Sequence, residues 1–421
     1  MFSRRLKTGY FVLEGLNSFA VVYYFYYFYF FMHKAHAFDN QANLVLAALN
    51  GATYAICAWW GGRFAQRAGY FTALKLGFFI MLVALTIGPF VHSALSHIAV
   101  MLITVVGMSF TWPTLEALVS EEEPPAGLQH MVGIYNVVWA ATAAVANFFG
   151  GAMLDKLGFS SLFFVPIAIL LTQLGLTSWL QSQVRSGTST GDRQEPAPSG
   201  STGSESEYQR SGAPAGAGVR VASLTAATIE DANAKRKAKA FLRMAWLANP
   251  FAYIAINTLI AVMPGIAARL GLSTTLAGFC CSVWCFSRLA AFAILWQWTT
   301  WHYRFRWLLL SYVSLVASFA TVLLAQHVAV LVLGQLLFGV SVGLIYYSSL
   351  FYSMDLGDTK GEHGGIHEAV IGLGNCAGPA VGAAALYFLP RYDNSGAYAV
   401  SLLLLSGLGG LLTIWRGNGT R

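Results

Sequence analysis

Three ionisable side chains stand inside long apolar runs, where charge is costly. Glu14 lies about six residues into the first run, Arg288 about nine residues from the near end of a later one, and Glu368 about four residues into another. At a helical rise of about 1.5 Å per residue, Glu14 sits roughly 9 Å deep and Arg288 roughly 13 Å deep. Charges at such depth face protein or water rather than lipid, and they mark substrate or ion pathways. The fork of donors on Arg288 suits a carboxylate or a hydroxyl-rich solute. The other reading of Arg288 is a permanent salt bridge to an acid on a neighbouring helix. Glu14 is the candidate for a carboxyl that takes up and releases a proton, because loss of water disfavours its charged form. Its alternative is a fixed pair with Arg288 or with a base at a helix end. Glu368, next to His367, suits either coupling or a helix-start position. Glu116 reads as part of a gate or a loop contact.

Uncharged polar residues recur at helical spacings. Glu14, Asn17 and Tyr24 read as one face at i, i+3 and i+10. Asn249, Tyr253 and Asn257 repeat every four residues, as do Gln335, Gly339, Gly343 and Tyr347. Such stripes serve either as ligand contacts or as polar and small-residue packing between helices. The run Tyr23 to Phe31 points all round a helix and reads chiefly as an aromatic belt at a membrane interface, with Tyr24 and Tyr27 placed to stack on a ligand. Trp112, beside Pro113, is a further contact candidate. The cysteines, Cys57, Cys280, Cys281, Cys285 and Cys376, lack the paired spacing of a zinc site. No phosphate-binding glycine loop with Lys and Ser/Thr is present. The expectation is therefore a protein with no metal, no cofactor, no enzymatic constellation and no use of ATP.

The elements that position these residues follow from composition. Of 421 residues, 56% are hydrophobic and 10% are charged, against about 25% charged in a soluble domain. Lipid must therefore be the outer solvent. Twelve apolar runs are close to the roughly 20 residues a spanning helix needs. They lie at about 8–31, 42–61, 71–92, 97–119, 131–153, 160–181, 240–266, 275–297, 307–326, 328–353, 364–389 and 397–415. Between the sixth and seventh, residues 183–238 are rich in Ser, Gly, Pro and charge and read as a disordered linker. The chain divides into an N-terminal six-helix bundle at 1–182, this linker, and a C-terminal six-helix bundle at 239–421. With the termini placed in the cytoplasm, twenty of the 25 basic residues fall on the cytoplasmic side, as the positive-inside rule requires. The net charge of +7 is thus a topology signal and implies no nucleic-acid partner. The basic run Ala234 to Lys239 suits anionic lipid at that surface.

The second run is followed by Gly62-Arg63-Phe64-Ala65-Gln66-Arg67-Ala68-Gly69. With the 6+6 architecture, this loop resembles a signature of the major facilitator superfamily, although Gln66 stands where that family carries an acid. Two further stretches, Pro113 to Glu121 and Gly150 to Phe159, are similar to the matching parts of family members. Gly365, Gly374, Gly378, Pro379 and Gly382 follow a glycine–proline pattern that the family's antiporters carry in span five, here displaced to span eleven. The resemblance implies an all-α integral membrane protein of 12 transmembrane helices in two six-helix bundles, rocking about a midplane site. It implies a plasma (inner) membrane secondary transporter of a small organic solute, sugar-like or an organic anion, coupled to protons or another ion. The candidate contacts are then Glu14, Asn17, Tyr24, Trp112, Asn257, Arg288, Gln335, Tyr347 and Glu368. The gating loop is Gly62, Arg63, Gln66, Arg67 and Gly69. The expected partners are the small-molecule substrate, the coupling ion and the lipid bilayer, with the protein a monomer. A multidrug or metabolite efflux antiporter is the first alternative, and a non-transporting sensor on the same fold is the second.

Overall fold

The computed structural model describes the backbone of residues 4–120, 125–191, 217–356 and 361–417 and the side chains of 6–119, 130–186, 234–353 and 367–417. The described residues contain helix and no strand. In hydrocarbon a helix satisfies its own backbone hydrogen bonds, which an isolated strand cannot do. The N-terminal bundle holds α1 (Arg4–His36), α2 (Asn40–Ala68), α3 (Tyr70–Ile87), α4 (Ala94–Ser120), α5 (Pro125–Leu157) and α6 (Ser161–Gly191). The C-terminal bundle holds α7 (Ala217–Arg269), α8 (Thr274–Cys281), α9 (Val283–Gln297), α10 (Phe305–Leu323), α11 (Val328–Leu356), α12 (Gly361–Phe388) and α13 (Ser395–Gly417). Helices α8 and α9 form one span broken at Ser282.

Among the described residues, eleven spans are long and apolar enough to cross a membrane. The twelfth is α1, whose 33 residues give ample length while its tyrosines lower its mean hydropathy. The aromatic run of α1 departs from the expected interfacial belt. Tyr23, Tyr24 and Tyr26 to Phe31 are all buried inside the protein, because α1 packs against α4, α5, α6 and α7 rather than against lipid. Helix also extends into both ends of the expected linker, since α6 runs to Gly191 and α7 starts at Ala217. Residues 192–216, at its centre, lie outside the described residues.

Within the first bundle α3 packs on α4 and α6, and α1 packs on α5 and α6. Within the second, α11 packs on α9 and α10, and α7 packs on α11, α12 and α13. The two bundles meet along two principal seams, α2 against α12 and α5 against α8 and α9. In the first seam a side chain on Gly51 would meet the backbone of Asn375 and Cys376, and one on Gly372 would meet Ala55. These glycines bring the helix backbones together. The prolines at 113, 166, 250, 264 and 379 all sit inside helices that continue past them.

The loop motif closes α2. Gly69 has φ +90° and separates α2 from α3 by one residue, its N–H donating to the Ala65 carbonyl at 3.0 Å. Only glycine adopts that conformation cheaply. Arg63 lies over the Trp59 ring, 4.0 Å from its centroid. Gly62 is buried, whereas Gln66 and Arg67 are exposed.

Candidate functional site

A cavity of about 170 Å³ lies between the two bundles. Its walls come from α1, α2, α4 and α5 of one half and α7, α9, α11 and α12 of the other. Five of the nine candidate contacts line it, Glu14, Trp112, Asn257, Arg288 and Glu368, together with Tyr253 of the α7 stripe. The spacing in sequence between Glu14 and Glu368 hides this proximity, which only the docking of the two halves creates.

Arg288 is 5% exposed and, among the described residues, belongs to no ion pair. Its guanidinium carbon stands 4.4 Å from the Trp139 ring centroid and 4.7 Å from that of Trp284. Trp139 belongs to α5 of the first bundle and Trp284 to α9 of the second. The electron-rich indole faces attract the cation most strongly away from water. Its Nε is buried without a hydrogen-bond partner. The internal salt bridge weighed as an alternative is therefore not the arrangement present.

The carboxyls are held differently. Ser18 donates to Glu14 Oε1 at 2.8 Å within α1. Glu14 Oε2 is buried without a hydrogen-bond partner. Glu368 Oε2 accepts from the Tyr54 hydroxyl at 2.6 Å, across the α2–α12 seam. Glu116, on α4, lies within electrostatic reach of both Glu14 and Glu368. Thus a carboxyl from α12 is bound by a phenol from the other half, and an arginine from α9 is bound by an indole from the other half.

The remaining candidates are placed elsewhere. Asn17 and Tyr24 are buried but do not line the cavity. At 3.6 residues per turn, Val21 and Phe25 return to within about 20° of Glu14, whereas Asn17 and Tyr24 are turned about 60° and 80° away. Tyr24 packs on Phe28 and on Phe163 of α6. Tyr347 packs on Phe292 and Trp301 and leaves the cavity to its neighbour Tyr346. Gln335 is fully buried against the α8–α9 break: its Nε2 donates to the Cys280 carbonyl at 2.9 Å, and its Oε1 accepts from the Trp284 N–H at 3.4 Å. Those bonds satisfy backbone groups that the break releases, so Gln335 holds Trp284 and hence Arg288 in place. Asn257 donates through Nδ2 to Asn375 Oδ1 of α12. The gating-loop residues lie at the far end of α2 from Asn50, outside the cavity lining.

Sequence reasoning missed Tyr54, Trp139 and Trp284, which grip the charges. Their signal was a tyrosine or tryptophan in mid-span, away from the interfaces where these residues usually sit.

At the end of the bundle away from the chain termini, polar bonds tie the halves together above the cavity. Asp155 Oδ2 accepts from the Thr275 N–H and hydroxyl, each at 2.8 Å. Lys34 donates to the Thr274 hydroxyl and lies 3.6 Å from Asp155 Oδ1. The Tyr26 hydroxyl donates to the Cys281 carbonyl at 3.1 Å.

Two six-helix bundles thus enclose a shared, mostly apolar cavity with a few charged groups set into its wall. The Major Facilitator Superfamily model matches residues 10–379, and the chain belongs to that family. Among solved structures, the human organic anion transporter MFSD10 (TETRAN) is similar, with TM-score 0.61, 14% identity, and coverage of 98% of this chain and 99% of that one. A structure titled for substrate recognition in proton dependent oligopeptide transporters gives TM-score 0.65, 15% identity, and coverage of 97% and 99%. At such identities the likeness is one of fold. No curated protein matches the chain.

Proposed function

We propose that this transporter moves a small organic anion together with protons by alternating access. The observation that carries the reading is Arg288, a buried cation in the cavity wall with two indoles and no carboxylate as partners. A guanidinium so placed keeps its donors for the planar fork of an incoming carboxylate. Glu14 and Glu368 supply carboxyls beside it to carry the proton. Burial makes every uncompensated charge here costly, so entry of an anion and uptake of a proton offset one another. The aromatic walls suit an apolar or ring-bearing body on the substrate. A sugar-like solute would also meet the Arg288 donors with its hydroxyls, but would leave the buried cation without a counter-charge.

The basic-residue bias supports cytoplasmic termini; a place in the plasma (inner) membrane and a monomeric state belong to the same proposal. The efflux alternative rests on the aromatic walls, but Arg288 repels cationic drugs.

The test is flux in proteoliposomes under an imposed pH gradient, with benzoate, succinate, glucose and ethidium as probes and internal pH read alongside. Benzoate or succinate should move with protons in the wild type. Glu368→Gln and Glu14→Gln should separate solute movement from proton movement. Ethidium movement alone would replace this reading with efflux. Saturable binding of a probe that never crosses would favour a sensor.

A further inference from the structure

Among the described residues that line the central cavity, Arg288 is the one cationic side chain, and Glu14 and Glu368 are the two acidic ones. Besides Glu14, three lining residues carry a buried polar atom without a hydrogen-bond partner: Arg288 through Nε, Trp284 through Nε1 and Asn147 through Oδ1. Arg288 is 5% exposed, and Trp284 and Asn147 are each 2% exposed. Buried polar groups are almost always paired, and leaving one unpaired is costly. Three such atoms in one wall point to a ligand that completes them.

The three residues share the wall where α5 meets α9. Trp284 and Arg288 are four residues apart on α9 and so lie on one face. Asn147 stands opposite them on α5, where its Nδ2 donates to the Sγ of Cys285, the residue after Trp284. Two turns earlier on α5, Trp139 covers the Arg288 guanidinium. The two helices thus run in opposite senses along this wall. Arg288 marks one level of it. Trp284 and Asn147 mark the next level, one helical turn or roughly 6 Å away.

Two of the unpartnered atoms are N–H donors and the third is an acceptor. A carboxylate supplies acceptors for both donors, the one on Arg288 with the added strength of opposite charge. The Asn147 oxygen calls for a donor close to that carboxylate. An ammonium would bring a second positive charge beside the guanidinium, so the donor is a hydroxyl. A second carboxylate on the ligand would find Glu14 and Glu368 in the wall and no further cation. We infer that the transported anion is a short 2-hydroxy monocarboxylate, and that Asn147 selects it by accepting from the hydroxyl beside the carboxylate. The inference rests on the anion reading above and narrows it. A site built to bond a hydroxyl rejects the analogue without one, because its own buried acceptor is then left unpaired.

The test is uptake of labelled acids by proteoliposomes holding the whole chain. Two matched pairs differ only in the hydroxyl: lactate against propionate, and mandelate against phenylacetate. Phenylglyoxylate carries a carbonyl in the same place. The hydroxy acid should be taken up about tenfold faster than its partner at equal low concentration, the cost of one unpaired buried acceptor, and phenylglyoxylate should do no better than phenylacetate. Equal uptake within both pairs, or phenylglyoxylate matching mandelate, overturns the inference. Asn147→Leu should bring the pair ratio to within twofold. Trp284→Phe keeps a ring beside Arg288 and loses the N–H, so it should weaken both members alike and preserve the ratio. A ratio that survives Asn147→Leu removes Asn147 as the selecting residue and overturns the inference. If Asn147→Leu fails to fold, the wild-type ratios still decide. Uptake of benzoate or succinate with none of these five acids overturns the 2-hydroxy acid alone. A wild type that takes up no carboxylate sinks the anion reading and this inference together.

Discussion

The two seams between the bundles are built from opposite materials. Along α2 and α12, Gly51, Ala55, Gly372 and Cys376 set backbone against backbone. Along α5 and α8–α9, the halves meet through long polar and aromatic side chains: Asp155 on Thr275, Asn147 Nδ2 on Cys285 Sγ at 3.0 Å, and Trp139 on Arg288. Close-packed backbones transmit strain and admit little adjustment, so in the proposed alternating-access cycle the first seam would serve as a bearing. Side-chain bonds break and re-form singly, so the second would serve there as a latch whose contacts a ligand or a proton competes for.

The largest effect should come from the bearing. Gly51→Leu drives a branched side chain into the Asn375–Cys376 backbone, which cannot rotate away as a side chain would. Overpacking costs about 1–3 kcal/mol where side chains can yield, and here the backbone must move instead. Folded yield by size exclusion and flux should both collapse. A well-folded, fully active Gly51→Leu protein would mean that α2 and α12 are not in backbone contact.

Next comes the ligand end of the latch. Arg288→Ala should leave folding intact, because no carboxylate loses its partner. Anion flux should fall by about thirtyfold or more, since truncating one side of a desolvated charge pair costs about 2–5 kcal/mol. Arg288→Lys should recover part of the binding and none of the planar geometry. An Arg288→Ala protein that unfolds would show that the guanidinium is structural and would remove the main support for an anionic substrate.

Much of this was legible in the sequence, though unevenly. The number of spans and the 6+6 division follow from apolar run lengths, and lipid leaves a helix little choice. Which helix face meets the cavity was less accessible. Asn17 and Tyr24 share a side of α1, but that side meets α6, and residues at i+7 and i+11 from Glu14 face the cavity instead. The partners of the charges were invisible, because Tyr54–Glu368 and Trp139–Arg288 join residues from different bundles. Gln335 looked like a ligand contact because it opens a stripe of polar and small residues repeating every four positions; the break at Ser282 that it repairs has no proline to announce it.

A smaller effect is expected at the closing end of the latch. Asp155 caps the second N–H of α8 from the other bundle, while Ser273 of the same chain segment caps the third, its Oγ accepting from Leu276 at 3.2 Å. Loss of a cap costs about 0.5–2 kcal/mol. Asp155→Ala should therefore shift the balance of closed and open forms by about fivefold, taking 1 kcal/mol as typical. Spin labels at the adjacent ends of α5 and α8 would read this as a second, longer distance. Asp155→Asn keeps an acceptor and loses only the pairing with Lys34, a half-exposed contact worth about 0–1 kcal/mol, so its distances should stay near wild type. Equal effects from both variants would assign the latch to charge and not to the cap.

The smallest effect on transport is expected where the family resemblance was easiest to read. Gly69 lies in neither seam, and a Cβ there would touch nothing within 4 Å. Its φ of +90° is the whole of its requirement. Gly69→Ala should thus cost about 1–3 kcal/mol of backbone strain, seen as a lower Tm, with flux per folded molecule unchanged. Gln66 is exposed on the same turn, and Gln66→Asp, which restores the acid of the family signature, should alter neither Tm nor flux. If Gln66→Asp changes the flux instead, the loop works as a third contact between moving parts, and the division of labour between a bearing and a latch would be incomplete.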